Sequence, residues 1–436
     1  MSAYHTGFDV GLPSDARGSK SGGGCFRKSI TFTAVLATLF SAAALALVVY
    51  VGFYTDDDTV KTQPIVIRVG QATPLKGYAS ARSFFEGTGS WAAKEDLPAG
   101  TSDFVAVTVG DKIYLIGGQD VNGASMTVVR EYDPVIDDYN SSKAALSVGR
   151  MRYGAAAVGT KIYVIGGLAV DDPFGCDVPP IRPAIPMERT TFIYDTVADT
   201  WAVGPQLITG RSDHCAFAVG TKVYAVGGYT DFLETLDSVE VLDTSASSPA
   251  WAAAPSLPEA RGDVTCAAAG GKGYAIGGFY DPTGTFADLD QFTEHVFELD
   301  VAGGAAAWTN KSSMPVAVGD KAAAALPDGS IVVIGGETHR NDATETQTAT
   351  HTSLQYYPAH DTWVKKAPLP TARFRFAAAT DADGYVHAFG GHTHCMVTNY
   401  SSCNYSTDCA GQALNSHEIM FDVVHPDLWI HSTEEL

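Results

Sequence analysis

The sequence predicts an all-β ectodomain of six repeated units behind one N-terminal membrane-spanning helix. Three observations carry this: six short apolar runs that each end in Gly-Gly, an aromatic residue downstream of each run, and an uncharged stretch of 27 residues near the N-terminus. The 436-residue chain holds 28 Lys+Arg against 49 Asp+Glu, a formal net charge of −21, and only 18% of its residues are charged. That balance disfavours nucleic acid or an anionic surface as a partner held by overall charge. Hydrophobic residues at 45% and aromatics at 10% describe a globular chain able to bury a large core.

Residues 1–28 form a tail, and 29–55 the uncharged stretch, ITFTAVLATLFSAAALALVVYVGF with its flanks. About 20 apolar residues span a bilayer as a helix, so this stretch is long enough. Arg17, Lys20, Arg27 and Lys28 precede it, and Asp56, Asp57 and Asp58 follow. Basic flanks stay cytoplasmic, which predicts a single-pass type II signal anchor with the C-terminal part lumenal or extracellular. A cleaved signal peptide is the alternative, but its apolar region runs to only about 7–15 residues, and here the run continues through Val51. Tyr50, Phe53 and Tyr54 suit the outer interfacial belt. Cys25, beside Phe26 and Arg27, is either a palmitoylation site or a plain juxtamembrane thiol. Residues 56–89 read as a stalk with room for one further strand.

Four of the seven Asn residues, Asn140, Asn310, Asn399 and Asn404, are followed at +2 by Ser with no intervening Pro. Chance predicts roughly one such sequon, and the excess points to a glycosylated ectodomain in the secretory pathway. Beyond Cys25 the cysteines are an even set of six. Cys395, Cys403 and Cys409 share one long insertion, which predicts a local bridge there in an oxidising compartment, with Cys176 as a candidate fourth partner. Cys215 and Cys266 lie in the apolar runs HCAFAV and TCAAA, where buried free thiols are expected.

The repeats begin near residue 90. The apolar runs are KIYLIGG (112–118), KIYVIGG (161–167), KVYAVGG (222–228), KGYAIGG (272–278), IVVIGG (331–336) and YVHAFGG (385–391). A second strand-like run follows each, and then an aromatic: Tyr139, Trp201, Trp251, Trp308, Trp363 and Trp429. Arg150, Arg211 and Arg261 stand eleven residues ahead of the Lys in three units, and Arg373 one residue further back in the sixth. Together with YDP at 132–134, IYDTVADTW at 193–201 and QYYPAHDTW at 355–363, these motifs resemble the kelch repeat family over nearly all of residues 90–436.

The resemblance implies a six-bladed kelch-type β-propeller, each unit one four-stranded antiparallel blade. A strand covered on both faces reads as a continuous apolar run, and paired glycines let backbones crowd without a Cβ in the way. The tryptophans are expected in the packing between blades, with either Trp91 or Trp429 on the strand that closes the ring. Val332 and His387 replace the repeat Tyr in the fifth and sixth units, and Thr101 replaces the Arg in the first.

Function on a propeller sits on loops and at the channel mouth. By the resemblance, the loops after Gly-Gly and those leading into the Arg strand share one face. Three positions after each pair stand Val121, Val170, Asp231, Asp281, His339 and His394. Asp231 and Asp281 are therefore candidate ligand-binding residues, and His339, His392 and His394 candidate ligands for a divalent metal, against the alternative of a solvated polar rim. Arg150, Arg211, Arg261 and Arg373 either grip an anionic group at the mouth or serve the fold by pairing with acids and carbonyls. Arg261, Gly262 and Asp263 also spell the RGD adhesion tripeptide.

The function expected is a membrane-anchored propeller that binds a protein or glycan partner. The alternative is a propeller enzyme acting on sugars, of the metal-dependent oxidase or mutarotase type, which the resemblance allows. No cofactor is implied beyond a divalent metal at the imidazoles.

Overall fold

The computed structural model describes residues 89–169, 186–232, 234–280, 292–304, 307–337, 346–396 and 413–421, and three strands nearer the N-terminus. The chain divides into two units, Met1–Ala79 and Ser80–Leu436.

In the first unit Ala46–Tyr54 pairs antiparallel with Val60–Arg68, and Phe32–Thr33 pairs with Tyr50 and Val51. This differs from the helix expected over 29–55. The strand is ALVVYVGFY, whose β-branched and aromatic residues favour extended backbone, and the run satisfies its amides by pairing. Among the described residues no helix is long and apolar enough to cross a membrane.

The second unit holds six four-stranded antiparallel sheets, one for each repeat. From the channel outward, the first blade is Val105–Val109, Lys112–Ile116, Val129–Asp133 and Asp138–Asn140. The second is Gly154–Val158, Lys161–Ile165, Thr191–Asp195 and Thr200–Val203. The third is Cys215–Val219, Lys222–Val226, Val239–Asp243 and Trp251–Ala254, and the fourth Thr265–Ala269, Lys272–Ile276, Val296–Leu299 and Thr309–Lys311. The fifth is Ala322–Ala325, Ile331–Ile334, Ser353–Tyr357 and Thr362–Lys365. The sixth joins both ends of the unit: Ala377–Thr380, Val386–Phe389 and His417–Phe421 are completed by Ser90–Ala93, with Trp91 opposite Met420. Trp91 therefore supplies the closing strand; Trp429 lies outside the described residues.

The repeated motifs are contacts between blades. The Gly228 N–H donates to the carbonyl of Arg261 in the next blade at 2.7 Å, at a φ of +96°, and a Cβ there would collide with Ser212. Gly118, Gly167, Gly336 and Gly391 donate to the next blade in the same way. The indole N–H groups reach backward: Trp201 to Ala144 O at 2.8 Å, Trp308 to Pro255 O at 2.8 Å, Trp363 to Ser312 O at 2.8 Å and Trp91 to Ala367 O at 2.9 Å. Trp91, Trp251 and Trp308 are buried, whereas Trp201 and Trp363 are half-buried and lie tilted on Tyr194 and Tyr356. In the YDP-type turns, Tyr132, Tyr194 and Tyr356 donate to Asp137, Asp199 and Asp361, which stand in left-handed backbone and accept an N–H from the preceding blade.

Cys215 and Cys266, expected as free thiols, form a disulfide, which corrects that expectation. Innermost strands of neighbouring blades run side by side around the channel, so the two Cα atoms come to 5.4 Å, inside the bridging range. Cys176, Cys403 and Cys409 lie outside the described residues, and only the backbone of Cys395 is described.

Candidate functional site at the channel mouth

Strands alternate in direction, so the loops after Gly-Gly and the connections into each innermost strand meet at the same end of the propeller. Two residues after each Arg position the chain turns into the innermost strand through left-handed backbone. Asp103, Arg152, Asp213, Asp263, Asp320 and Arg375 hold this place in blades one to six, with φ between 43° and 55°. At five of the six junctions among the described residues, the N–H of one donates to the carbonyl of its predecessor at 2.9–3.0 Å. The result is a closed collar of backbone around the mouth of a channel of about 190 Å³.

The side chains of the collar are unequally paired. Arg152 bridges Asp103 at 3.2 Å and Asp213 at 3.6 Å; Arg375 bridges Asp320 at 2.8 Å and approaches Asp103 at 4.0 Å. Ser102 and Ser212 donate to Asp103 and Asp213. Asp263 has no guanidinium within ion-pair distance among the described residues and accepts from the Tyr229 hydroxyl at 2.8 Å. Burial opposes the charge on Asp103, but Arg152, the nearby His392 and Arg375 outweigh it and hold the carboxyl far below the usual range. Burial, then the Asp320 and Asp213 carboxylates, push Asp263 well above that range. Burial also lifts Asp213 against the pull of Arg152.

A second layer comes from residues directly after each Gly-Gly. Tyr229, Glu337 and His392 are buried there, and burial pushes Glu337 up to about 8. His392 is 2% exposed, its Nε2 stands 3.8 Å from Asp103, and neither ring nitrogen makes a hydrogen bond within usual limits.

The structure places the sequence-predicted residues as follows. Arg211, Arg261 and Arg373 are fully buried, and each NH1 donates to two carbonyls of its own blade: Gly227 and Ser238, Gly277 and His295, Gly390 and Ser416. Glu240, Glu259 and Glu418 pair with their NH2 groups. Arg150 lies over the Phe192 ring at 5.3 Å and approaches Glu188 at 3.4 Å. Carbonyls and acids are thus what these guanidiniums contact among the described residues. In the first blade, where Thr101 replaces the Arg, Arg130 comes from the third strand and reaches Thr101 at 3.5 Å. Arg261 being buried, the RGD tripeptide is not displayed as a loop.

Asp231 accepts the N–H of Met187 at 2.7 Å and ties the second blade's insertion to the third blade. Asp281 and His339 lie outside the described residues. His394 is described in backbone only, where His394–Met396 pairs with Thr346–Thr348 and links the loops of the last two blades. Among the described residues no three His, Cys, Asp or Glu converge as a metal site. Asn140 and Asn310 sit exposed on outer strands, and Ser142 donates both its N–H and its hydroxyl to the Asn140 side chain; Asn399 and Asn404 lie outside the described residues. The collar was not read from the sequence, although its register, two residues past each Arg position, is present there.

The kelch motif matches residues 100–139 and 210–258, which hold the first and third blades. Kelch-like protein 36 of Bos taurus is 26% identical over 147 residues, 34% of this chain and 22% of that protein. Beta-scruin of Limulus polyphemus is 26% identical over 162 residues, 36% of this chain and 17% of that protein. The match spans about a fifth of the length of these curated relatives. The solved structure of YjhT is similar with a TM-score of 0.57 at 16% identity, over 75% of this chain and 96% of that one, a likeness of fold. The unit after residue 80 is thus a six-bladed β-propeller that carries kelch motifs at residues 100–139 and 210–258.

Proposed function

We propose that the chain is a single-pass type II membrane protein whose propeller binds a protein or glycan partner through the face around the channel mouth. The observation that carries the binding reading is the exposed apolar rim on that face. Phe232 is 71% exposed in the third blade's loop, and Ile208, Val148 and Val316 are exposed in separate connections into innermost strands on the same face, whose mouth is deeply polar. Apolar surface rimming a polar pocket is a common form of interaction site. Kelch proteins generally bind protein partners, which makes a protein the first candidate.

Three features support the secretory-pathway part of the proposal. The uncharged stretch 29–55 is long enough to span, and in lipid an open three-stranded sheet would strand its edge amides, so the same residues would satisfy their backbone as a helix. Asn140 and Asn310 are exposed. The Cys215–Cys266 disulfide suits an oxidising compartment. The test is protease added outside sealed native membranes. It should digest the propeller and spare an N-terminal epitope, and release of the protein by alkaline carbonate would overturn the anchor.

A further inference from the structure

Each blade turns from its third strand to its outermost strand at the end of the propeller opposite the channel mouth. In the first, second and fifth blades this turn has one construction. Tyr132, Tyr194 and Tyr356 donate to Asp137, Asp199 and Asp361, which hold left-handed backbone. At the tip between them the first blade carries Val135 and Ile136, the second Val197 and Ala198, and the fifth Ala359 and His360. The fifth blade makes the same turn without a large aliphatic residue, so the fold does not require one. Yet Val135 at 82% and Val197 at 79% are the two most exposed large apolar side chains among the described residues.

The carboxylates of these two turns face inward. Asp133 accepts the N–H of Val135 at 3.0 Å and pairs with Lys112 at 3.0 Å; Asp137 accepts the N–H of Glu95 at 3.2 Å and pairs with Lys94 at 3.6 Å. Asp195 accepts the N–H groups of Val197 and Ala198 at 3.1 and 3.0 Å, and Asp199 that of Ala144 at 2.9 Å. Each turn is braced from beneath, and its tip offers solvent the side chains of Val135 and Ile136 or of Val197. Turn tips ordinarily carry polar residues, and apolar ones there mark a contact.

The sixth blade locates the arrival of the chain. Its third strand ends at Phe421 and its outermost strand begins at Ser90, directly opposite, so the chain enters where the other blades make their turn. The residues ahead of Ser90 therefore join the propeller in the same circle of turns, in the blade next to the first. We propose that the Val135–Ile136 and Val197 tips rest in a zwitterionic lipid surface, that of the bilayer holding the chain, with the channel mouth facing away from it. The proposal rests on the reading of 29–55 as a membrane anchor and adds the orientation of the propeller on that membrane.

The shape of the contact selects lipid over protein. The tips stand on separate blades, with one or two aliphatic side chains each, whereas a stable protein interface needs continuous area. The interfacial layer of a bilayer accepts isolated apolar side chains, each in proportion to the area it buries. Charge selects the lipid, since a chain of net charge −21 is repelled by an anionic leaflet. Residues 56–89 reach about 110 Å at full extension. An anchored propeller thus meets its own bilayer at high effective concentration, and a few side chains suffice to hold it there.

The test is the full chain in phosphatidylcholine nanodiscs, with a fluorescent residue at Ala198, beside Val197, or at Phe232 on the mouth face. Lipid with a nitroxide at the headgroup boundary should quench the probe at Ala198 and spare it at Phe232, and aqueous iodide should do the reverse. Val135→Asp with Ile136→Asp, in the neighbouring blade, should lower the docked population roughly tenfold or more, read as iodide quenching regained at Ala198. Val203→Asp, at the other end of the second blade's outermost strand, should leave it unchanged. Equal iodide quenching at Ala198 and Phe232 overturns the proposal, as does lipid quenching at Phe232. Protection of Ala198 in native membranes but not in pure phosphatidylcholine makes a protein the occupant and overturns it too. Protein that resists alkaline carbonate in native membranes yet fails these tests refutes the docking alone; protein released by carbonate refutes the anchor and the docking with it.

Discussion

Acidification should destabilise the junction between the sixth and first blades through a buried chain of polar side chains. The Tyr139 hydroxyl stands 3.0 Å from His417 Nδ1, His417 Nε2 lies 2.8 Å from His387 Nδ1, and His387 Nε2 lies 2.9 Å from Asp381. Both imidazoles are fully buried among Tyr132, Tyr139 and Phe389. His417 Nδ1 also lies 3.2 Å from the Glu95 carbonyl, which only accepts. Burial, then His387, lowers His417 to about 2, with Lys94 and Arg373 adding to it and the Glu95 carbonyl opposing.

The sign follows from linkage. Above about pH 6.5, the ordinary histidine value, His417 is neutral in both folded and unfolded chains and costs nothing. As pH falls below that value the unfolded chain takes a proton that the folded chain refuses, and stability drops until the folded value is reached. At pH 4.5, about two units below the unfolded value, the loss is about 2.7 kcal/mol. Urea unfolding of the full chain in detergent, followed by tryptophan fluorescence between pH 4.5 and 7.5, reads this as the difference between wild type and His417→Gln, since the raised carboxyls of Glu337 and Asp263 add a slope of opposite sign to both. Asp103, whose carboxyl is held low by its arginines and His392, loses its contribution only below about pH 4, outside this window. His417→Gln should lower stability at pH 7.5 and, between pH 7.5 and 4.5, lose about 2.7 kcal/mol less than wild type. A variant that keeps the wild-type slope refutes the reasoning.

Three further outcomes are expected. Trp308→Ala removes a 6%-exposed ring packed edge-on against Phe217 and should cost about 3–5 kcal/mol in the same unfolding assay; a loss under about 1 kcal/mol would contradict its place between blades. Asn140→Gln and Asn310→Gln should each remove one glycan-sized step in electrophoretic mobility of protein from its native host, and unchanged mobility counts against glycosylation there. A thiol reagent applied to unreduced, denatured chain should leave Cys215 and Cys266 unlabelled, and the double Ser variant should lose about 2–4 kcal/mol.

The blades were legible because what repeats in the sequence is what touches between blades. Gly-Gly, the buried Arg and the aromatic each meet a neighbouring blade or brace their own, and each unit had to keep them. Ring closure was not legible: Trp91 and Trp429 are equivalent in composition, and only strand pairing with His417–Phe421 separates them. The disulfide was missed because two cysteines 51 residues apart sit in apolar runs like any core thiol, and the closeness of neighbouring innermost strands is a property of the ring. The collar escaped for a related reason. Its six members are four Asp and two Arg in no regular order, so residue identity does not repeat; what repeats is backbone conformation, at φ near +50°. The stretch 29–55 shows the opposite limit, where one sequence carries both a bilayer-length apolar run and strand-favouring residues.

Site-specific photo-crosslinking tests the central claim most directly. A crosslinking residue is placed at Phe232 or Ile208 on the mouth face, or at Ile136 or Val197 in the exposed turns at the opposite end. In native membranes, the same crosslinked partner from Phe232 and Ile208, and none from Ile136 or Val197, is the predicted result. A partner captured only from Ile136 and Val197 would contradict the account.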